Sequence, residues 1–182
     1  MRLFIAILFD QDVRASLYNT VEELKLAAKG GTFTERENLH LTLNFIGETK
    51  RLKEVKEAMS AAVEASKAES FPLLLRGFGR FKRTEGDIYW VGVVERNDVL
   101  RRLQKELVKE LKETGFYEID DRDYKPHLTL GRRVRVGQSF DSKAFEAGIR
   151  PMQMKVERIS LMKSERIEGK LTYTEIYQVG LK

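Results

Sequence analysis

The tetrapeptide His-Leu-Thr-Leu occurs twice, at 40–43 and at 127–130, and its histidines are the only two in the 182 residues. Side chains alternate along an extended strand, so His40 and Thr42 share one face about 6.5 Å apart while Leu41 and Leu43 take the other. His127 and Thr129 stand in the same relation to Leu128 and Leu130. Each run therefore predicts a strand with a leucine face in a core and a His/Thr face turned to something polar. Two such faces meeting across a cleft would bring together two imidazoles and two hydroxyls, a set suited to phosphate chemistry.

The surrounding sequence supports a duplication. Arg2 to Phe9 is continuously apolar and reads as a strand covered on both faces. After it, Asp10 offers a helix cap, and Val13, Leu17, Val21, Leu24 and Ala28 recur at helical steps until Gly30-Gly31. A polar loop, Thr32 to Asn38, then leads into the first motif, which runs on to Gly47. Thr49 can cap a second helix with Leu52, Val55, Met59 and Val63 on its buried stripe. Phe71 to Phe81 and Asp87 to Val94 read as a hairpin around Glu85-Gly86. Asn97 or Asp98 caps a third helix, with Leu100, Leu103, Leu107 and Leu111 in one line and Gly115 at its end. A short helix over Ser139 to Ala147 follows the second motif. Strands at Met152 to Lys163 and Leu171 to Leu181 then flank a Glu168-Gly169 turn.

The two motifs and the two Glu-Gly turns recur at nearly the same offset. This predicts one α+β domain over residues 1–182, built from halves at roughly 1–86 and 87–182. Its two pseudo-twofold-related lobes are largely antiparallel sheet, with helices on the outer faces and a groove between.

With 42% apolar residues the chain has material for a real core, yet no stretch approaches a membrane span and Asp10 to Asp12 stand where a leader would need small residues. A cytoplasmic location, with no membrane partner, is the expectation. The absence of cysteine excludes disulfides, thiol catalysis and cysteine zinc sites. A net charge of +5 favours anionic partners without demanding them.

A lone histidine is ordinarily a surface or satisfied core residue. Repetition of its tetrapeptide at matching places argues otherwise, because packing would be content with Val or Phe. A metal site is the rival. Neither histidine has a second His or a carboxylate at i+2 or i+4, and zinc needs three or four ligands, so no metal or cofactor is expected. As a pair, with unperturbed pKa values near 6.5, one imidazole can accept a proton while the other donates one across an in-line displacement at phosphorus. Thr42 and Thr129 would hydrogen-bond the non-bridging oxygens, although threonine also simply favours strands. Which histidine is acid and which base stays open on this argument alone.

These residues resemble the 2H phosphoesterase superfamily. Met1 to Ala6, Glu37 to Gly47 around His40, and Lys125 to Arg132 around His127 are most similar to its RNA 2′,3′-cyclic phosphodiesterase branch, also called the 2′-5′ RNA ligase family. The resemblance runs over nearly the whole chain. It implies metal-independent hydrolysis of a 2′,3′-cyclic phosphate at an RNA end to a 2′-phosphate, with tRNA among the candidate substrates. His40 would protonate the departing 3′ oxygen, His127 would activate water, and Thr42 and Thr129 would hold the phosphate. The reverse reaction would join such an end to a 5′-hydroxyl through a 2′-5′ bond. A noncatalytic RNA-binding module, and a related enzyme acting on a small cyclic nucleotide or a 2′-5′ oligonucleotide, are the alternatives.

Around this centre we place Arg132 and Tyr124 as substrate-binding residues. Strict alternation puts Arg132 on the leucine side, unless Gly131 bends the strand back to the groove. Arg133, Arg135, Lys82 and Arg83 form a basic cluster that could track an RNA backbone or simply face solvent. Phe9, Trp90 and Tyr124 each offer a ring to a nucleobase and each also suits a core. The chain is expected to act as a monomer.

Overall fold

The computed structural model describes residues 1–94 and 98–182. Strand β1 (Arg2–Leu8) is buried from Leu3 to Ile7, as an apolar run covered on both faces requires. Asp10 accepts a hydrogen bond from the Val13 amide at 2.8 Å and caps α1 (Gln11–Ala27), whose Val13, Leu17, Val21 and Leu24 are buried. The chain continues through β2 (Ala28–Phe33), β3 (His40–Glu48), α2 (Leu52–Ser66), β4 (Phe71–Phe81) and β5 (Asp87–Val94). Helix α3 (Val99–Glu113) buries Leu100, Leu103, Leu107 and Leu111, each side chain contributing about 1.5–3 kcal/mol. Gly115, at φ 92, takes the left-handed turn behind it. Then come β6 (His127–Val136), α4 (Ser142–Gly148), β7 (Met152–Val156), β8 (Arg158–Ile167) and β9 (Lys170–Gly180).

The fold is α+β with two antiparallel sheets, ordered β3-β1-β8-β9 and β2-β6-β5-β4-β7. Helices α2 and α3 lie against each other and on the first sheet, while α1 and α4 lie on the second. One continuous core joins the leucines of both motifs, and a smaller cluster of Phe4, Ala6 and Met162 lies on the other face of β1. Each motif strand pairs with the strand that opens its own half, β3 with β1 and β6 with β5. Those strands pair in turn with the opposite half, β1 with β8 and β5 with β4. The lobes are therefore the two sheets, and each sheet mixes the two halves of the chain. An interior position needs a neighbour on both edges, and β8 gives β1 its second one.

Other local expectations change. Gly30-Gly31 does not end the first helix, and the loop expected from Thr32 begins later, because residues 28–33 form β2 against β6. The glycines serve close approach there: a Cβ on Gly31 would lie 2.9 Å from Val134 Cα. The single strand expected over 152–163 is two, broken at Glu157, with β7 on the edge of one sheet and β8 inside the other. Thr49 does not cap α2; its hydroxyl accepts from the Arg51 amide at 3.0 Å, and the helix starts after Arg51. Asp98 precedes α3 without a side-chain cap bond, and Asn97, the other candidate, lies outside the described residues. Among the described residues no helix is long and apolar enough to cross a membrane.

Candidate active site

The motif strands β3 and β6 lie side by side in space, one from each sheet. On both, the imidazole Nδ1 is 2.7 Å from the carbonyl two residues upstream, Asn38 for His40 and Lys125 for His127. A carbonyl only accepts, so Nδ1 carries the proton in each ring and Nε2 is the nitrogen left for chemistry. His40 Nε2 is 2.9 Å from Thr42 Oγ1.

The two motifs meet as the alternation argument requires. His40, Thr42, His127, Thr129 and Arg132 all line one cavity of about 310 Å³, together with Tyr173. Burial holds both imidazoles below the usual 6.5, against the upward pull of their backbone carbonyls. The positive charge of Arg132 lowers both further, and His40 also feels His127. Burial raises the Tyr173 phenol above its ordinary value while Arg132 and Arg2 draw it down. One guanidinium thus acts on three groups of the same cavity.

Arg132 reaches the cavity because β6 is irregular. The strand gains a residue against β5 between its Thr129 and Gly131 pairings, which reverses the alternation. Strand β3 shows the same shift against β1, between the Thr42 and Asn44 pairings. The residue five places after each histidine is brought round in both strands, Arg132 in one and Phe45 in the other. Phe45 is 62% exposed, an apolar ring held at the rim.

Aromatic side chains bed each imidazole. Phe4 lies 4.8 Å from His40 and Tyr173 meets it edge-on at 5.3 Å. Phe81 meets His127 edge-on at 5.0 Å, with Trp90 at 6.4 Å. Phe4, Phe81 and Tyr173 were not readable as site residues from the sequence, since each becomes a neighbour only through pairing between strands, and Phe45 was not because the extra residue in β3 changes its face.

The remaining candidates divide. Tyr124 donates its hydroxyl proton to the Thr42 carbonyl at 2.8 Å, tying the loop before β6 to β3. Its ring lines a second cavity of about 480 Å³, which shares Thr42, Phe45 and His127 with the first but does not include His40. Phe9 is core, 4% exposed, so it offers no ring to a base. Trp90 is half-buried over Gly79, and its Nε1 has no partner among the described residues. In the basic cluster, Arg133 pairs with Glu85 at 3.3 Å and Arg135 reaches the Glu85 carbonyl at 3.4 Å. Lys82 is exposed, and Arg83 lines the second cavity. No three His, Asp or Glu side chains gather as a metal cage among the described residues.

A family model described as the 2′-5′ RNA ligase superfamily matches residues 13–168. The chain is 30% identical over 181 residues to an RNA 2′,3′-cyclic phosphodiesterase of Thermotoga maritima, covering 98% of this chain and 94% of that one. It is 31% identical over 166 residues to a protein of the same description from Archaeoglobus fulgidus, at 85% and 90% coverage. A crystal structure of a Thermus thermophilus protein superposes with a TM-score of 0.76 at 25% identity, covering 100% of this chain and 98% of that one. Apo LigT of E. coli gives 0.76 at 24% identity, over 99% and 96%, a likeness of fold.

Proposed function

The chain belongs to the 2′-5′ RNA ligase superfamily, and from that membership we propose that it hydrolyses the 2′,3′-cyclic phosphate at an RNA end to a 2′-phosphate, without a metal ion. The observation that carries the reading is the shared cavity: both imidazoles, both threonines and Arg132 line one space of about 310 Å³. In the proposed reaction His127 Nε2 takes a proton from water, whose oxygen attacks phosphorus in line with the 3′ oxygen. The P–O3′ bond breaks and His40 Nε2–H protonates the departing oxygen. Thr42 and Thr129 donate to the non-bridging oxygens, where charge develops, and Arg132 offsets it. Burial and the Arg132 charge hold His40 below the usual 6.5 in the empty cleft, and an entering phosphate anion pulls it back up, because an opposite charge in a low-dielectric site favours the protonated form. With a 5′-hydroxyl in place of the attacking water, the same groups would join ends through a 2′-5′ bond: His127 takes the hydroxyl proton, the P–O3′ bond breaks and His40 protonates O3′.

The test is hydrolysis of a nucleoside 2′,3′-cyclic phosphate in excess chelator, with His40→Ala and His127→Ala alongside. Turnover should persist in chelator and fall by about 10²–10⁴ in each variant. A requirement for added zinc would overturn the proposed mechanism. Binding of RNA without turnover, indifferent to both substitutions, would make the protein a binding module.

A further inference from the structure

Each imidazole rests on a carbonyl two residues upstream, and the two halves of the chain steady that carbonyl by different means. In the second half the carbonyl belongs to Lys125, and Pro126 behind it confines the Lys125 backbone to extended conformations. In the first half it belongs to Asn38, which closes a single 3₁₀ turn (Arg36–Asn38) and is followed by Leu39. A proline disfavours helical backbone in the residue before it, so the means used in the second half does not fit the first.

Asn38 is held by its side chain instead. It is 6% exposed, its Nδ2 donates to the Leu171 carbonyl of β9 at 2.9 Å, and its own amide donates to the Glu35 carbonyl at 2.9 Å. Strands β3 and β9 are opposite edges of their four-stranded sheet. Neighbouring strands lie about 4.8 Å apart, so about 14 Å of sheet separates the two, and the Asn38 turn crosses the face of the sheet to reach β9. Leucine would fill the same buried space without the desolvation that an amide suffers there. The other hydrogen-bond contact of the His40 ring is Thr42 Oγ1, at 2.9 Å from Nε2. In the proposed reaction Thr42 turns its hydroxyl to the phosphate, and the Asn38 carbonyl is the bond that stays.

We propose that Asn38 is a positioning residue for the acid: its side chain, anchored on β9, aims the carbonyl that fixes the His40 ring through Nδ1–H and so directs Nε2 at the departing oxygen. This rests on His40 acting as the acid. Freed of that carbonyl, the ring turns and its neutral form divides between two tautomers, and the Nε2 proton is misplaced.

The experiment asks whether Asn38 variants lose acid catalysis in particular. Asn38→Leu keeps the volume and removes the donor, and Asn38→Ala removes both. Each is measured on a nucleoside 2′,3′-cyclic phosphate and on its analogue with sulfur at the 3′ bridging position, which departs as a thiolate without needing a proton, since a thiol ionises at about 8.5. On the oxygen substrate kcat should fall by about 10- to 100-fold, the upper figure being the effect of a displacement of about 1 Å at a reacting group. On the sulfur substrate both variants should match the native protein, as His40→Ala should, while His127→Ala stays slow on both. The quotient of the two rates within one variant does not depend on how much of the protein is folded. In ¹⁵N spectra His40 should lose its single Nδ1–H form in both variants, with His127, the other of the two histidines, unchanged as the internal reference. Equal losses on oxygen and sulfur, or undiminished kcat on oxygen, overturn the assignment of Asn38. His40→Ala equally slow on both substrates overturns the acid role of His40 itself.

Discussion

A methyl group added to Gly79 would sit 2.3 Å from Cζ2 and 2.4 Å from Cη2 of the Trp90 indole. Carbon atoms pack at about 3.5 Å, so the rigid ring has to move by about 1 Å. Gly79 pairs with Trp90 across β4 and β5, and Trp90 pairs with Thr129 on β6, so the methyl drives the ring toward the motif strand. Phe81 and His127 already pack there, at 5.5 and 6.4 Å from the indole. Overfilling of this kind costs about 1–3 kcal/mol. For a chain of this length each kcal/mol lowers the melting temperature by about 2–4 °C, giving a fall of about 2–12 °C for Gly79→Ala. A displacement of about 1 Å at a reacting group costs about 100-fold in rate, which is the loss expected on a nucleoside 2′,3′-cyclic phosphate. Trp90 is the single tryptophan, so its emission reports the movement directly. A folded Gly79→Ala protein with unshifted emission and undiminished turnover would refute the packing route from Gly79 to His127.

Three further outcomes are expected. Because both imidazoles are held below 6.5 in the empty cleft, the acid is lost early as pH rises; kcat/KM should peak on the acid side of 6.5, while kcat, set with the phosphate bound, should peak at higher pH. Steady-state profiles with kcat/KM still rising above neutrality would contradict the burial argument. Arg132→Met removes a charge that lowers both histidines, so both should titrate at higher pH by imidazole NMR, and KM should rise about tenfold or more for want of a charge-assisted phosphate contact. Histidine titrations that do not move would take Arg132 out of the cleft. Tyr124→Phe loses the bond to the Thr42 carbonyl and should cost about 1 kcal/mol, read as about 2–4 °C in thermal melting; an unchanged melting temperature means that the tie is not made in solution.

What could be read from the sequence was what alternation and helical spacing decide locally. Leu41 and Leu128 pointing inward, with His40 and His127 outward, follows from a two-residue period, and the stripes of α1 and α3 follow from a step of three and four. Arg132 and Phe45 escape that logic because one extra residue in each motif strand changes which face they take. Gly30-Gly31 misleads because the same pair that ends helices also lets two backbones approach, and only the position of Val134 tells which is meant. Phe4, Phe81 and Tyr173 carry no local mark at all. Their place beside the histidines is set by register between strands far apart in the chain. The break at Glu157 was hidden because the residues on both sides of it suit a strand.

The exchange of strands between halves bears on how the cleft behaves under thermal agitation. The backbone passes from one sheet to the other between β1 and β2, between β2 and β3, between β3 and β4, and again between β7 and β8. A pair of lobes tethered by a single connector can swing like a jaw. Lobes stitched together at several places, over one shared apolar interior, resist such swinging, because any gape strains every stitch at once. The gap between the imidazoles behaves as a fixed gauge, and adaptation to substrates of different length falls to the side chains at its rim, Phe45 foremost.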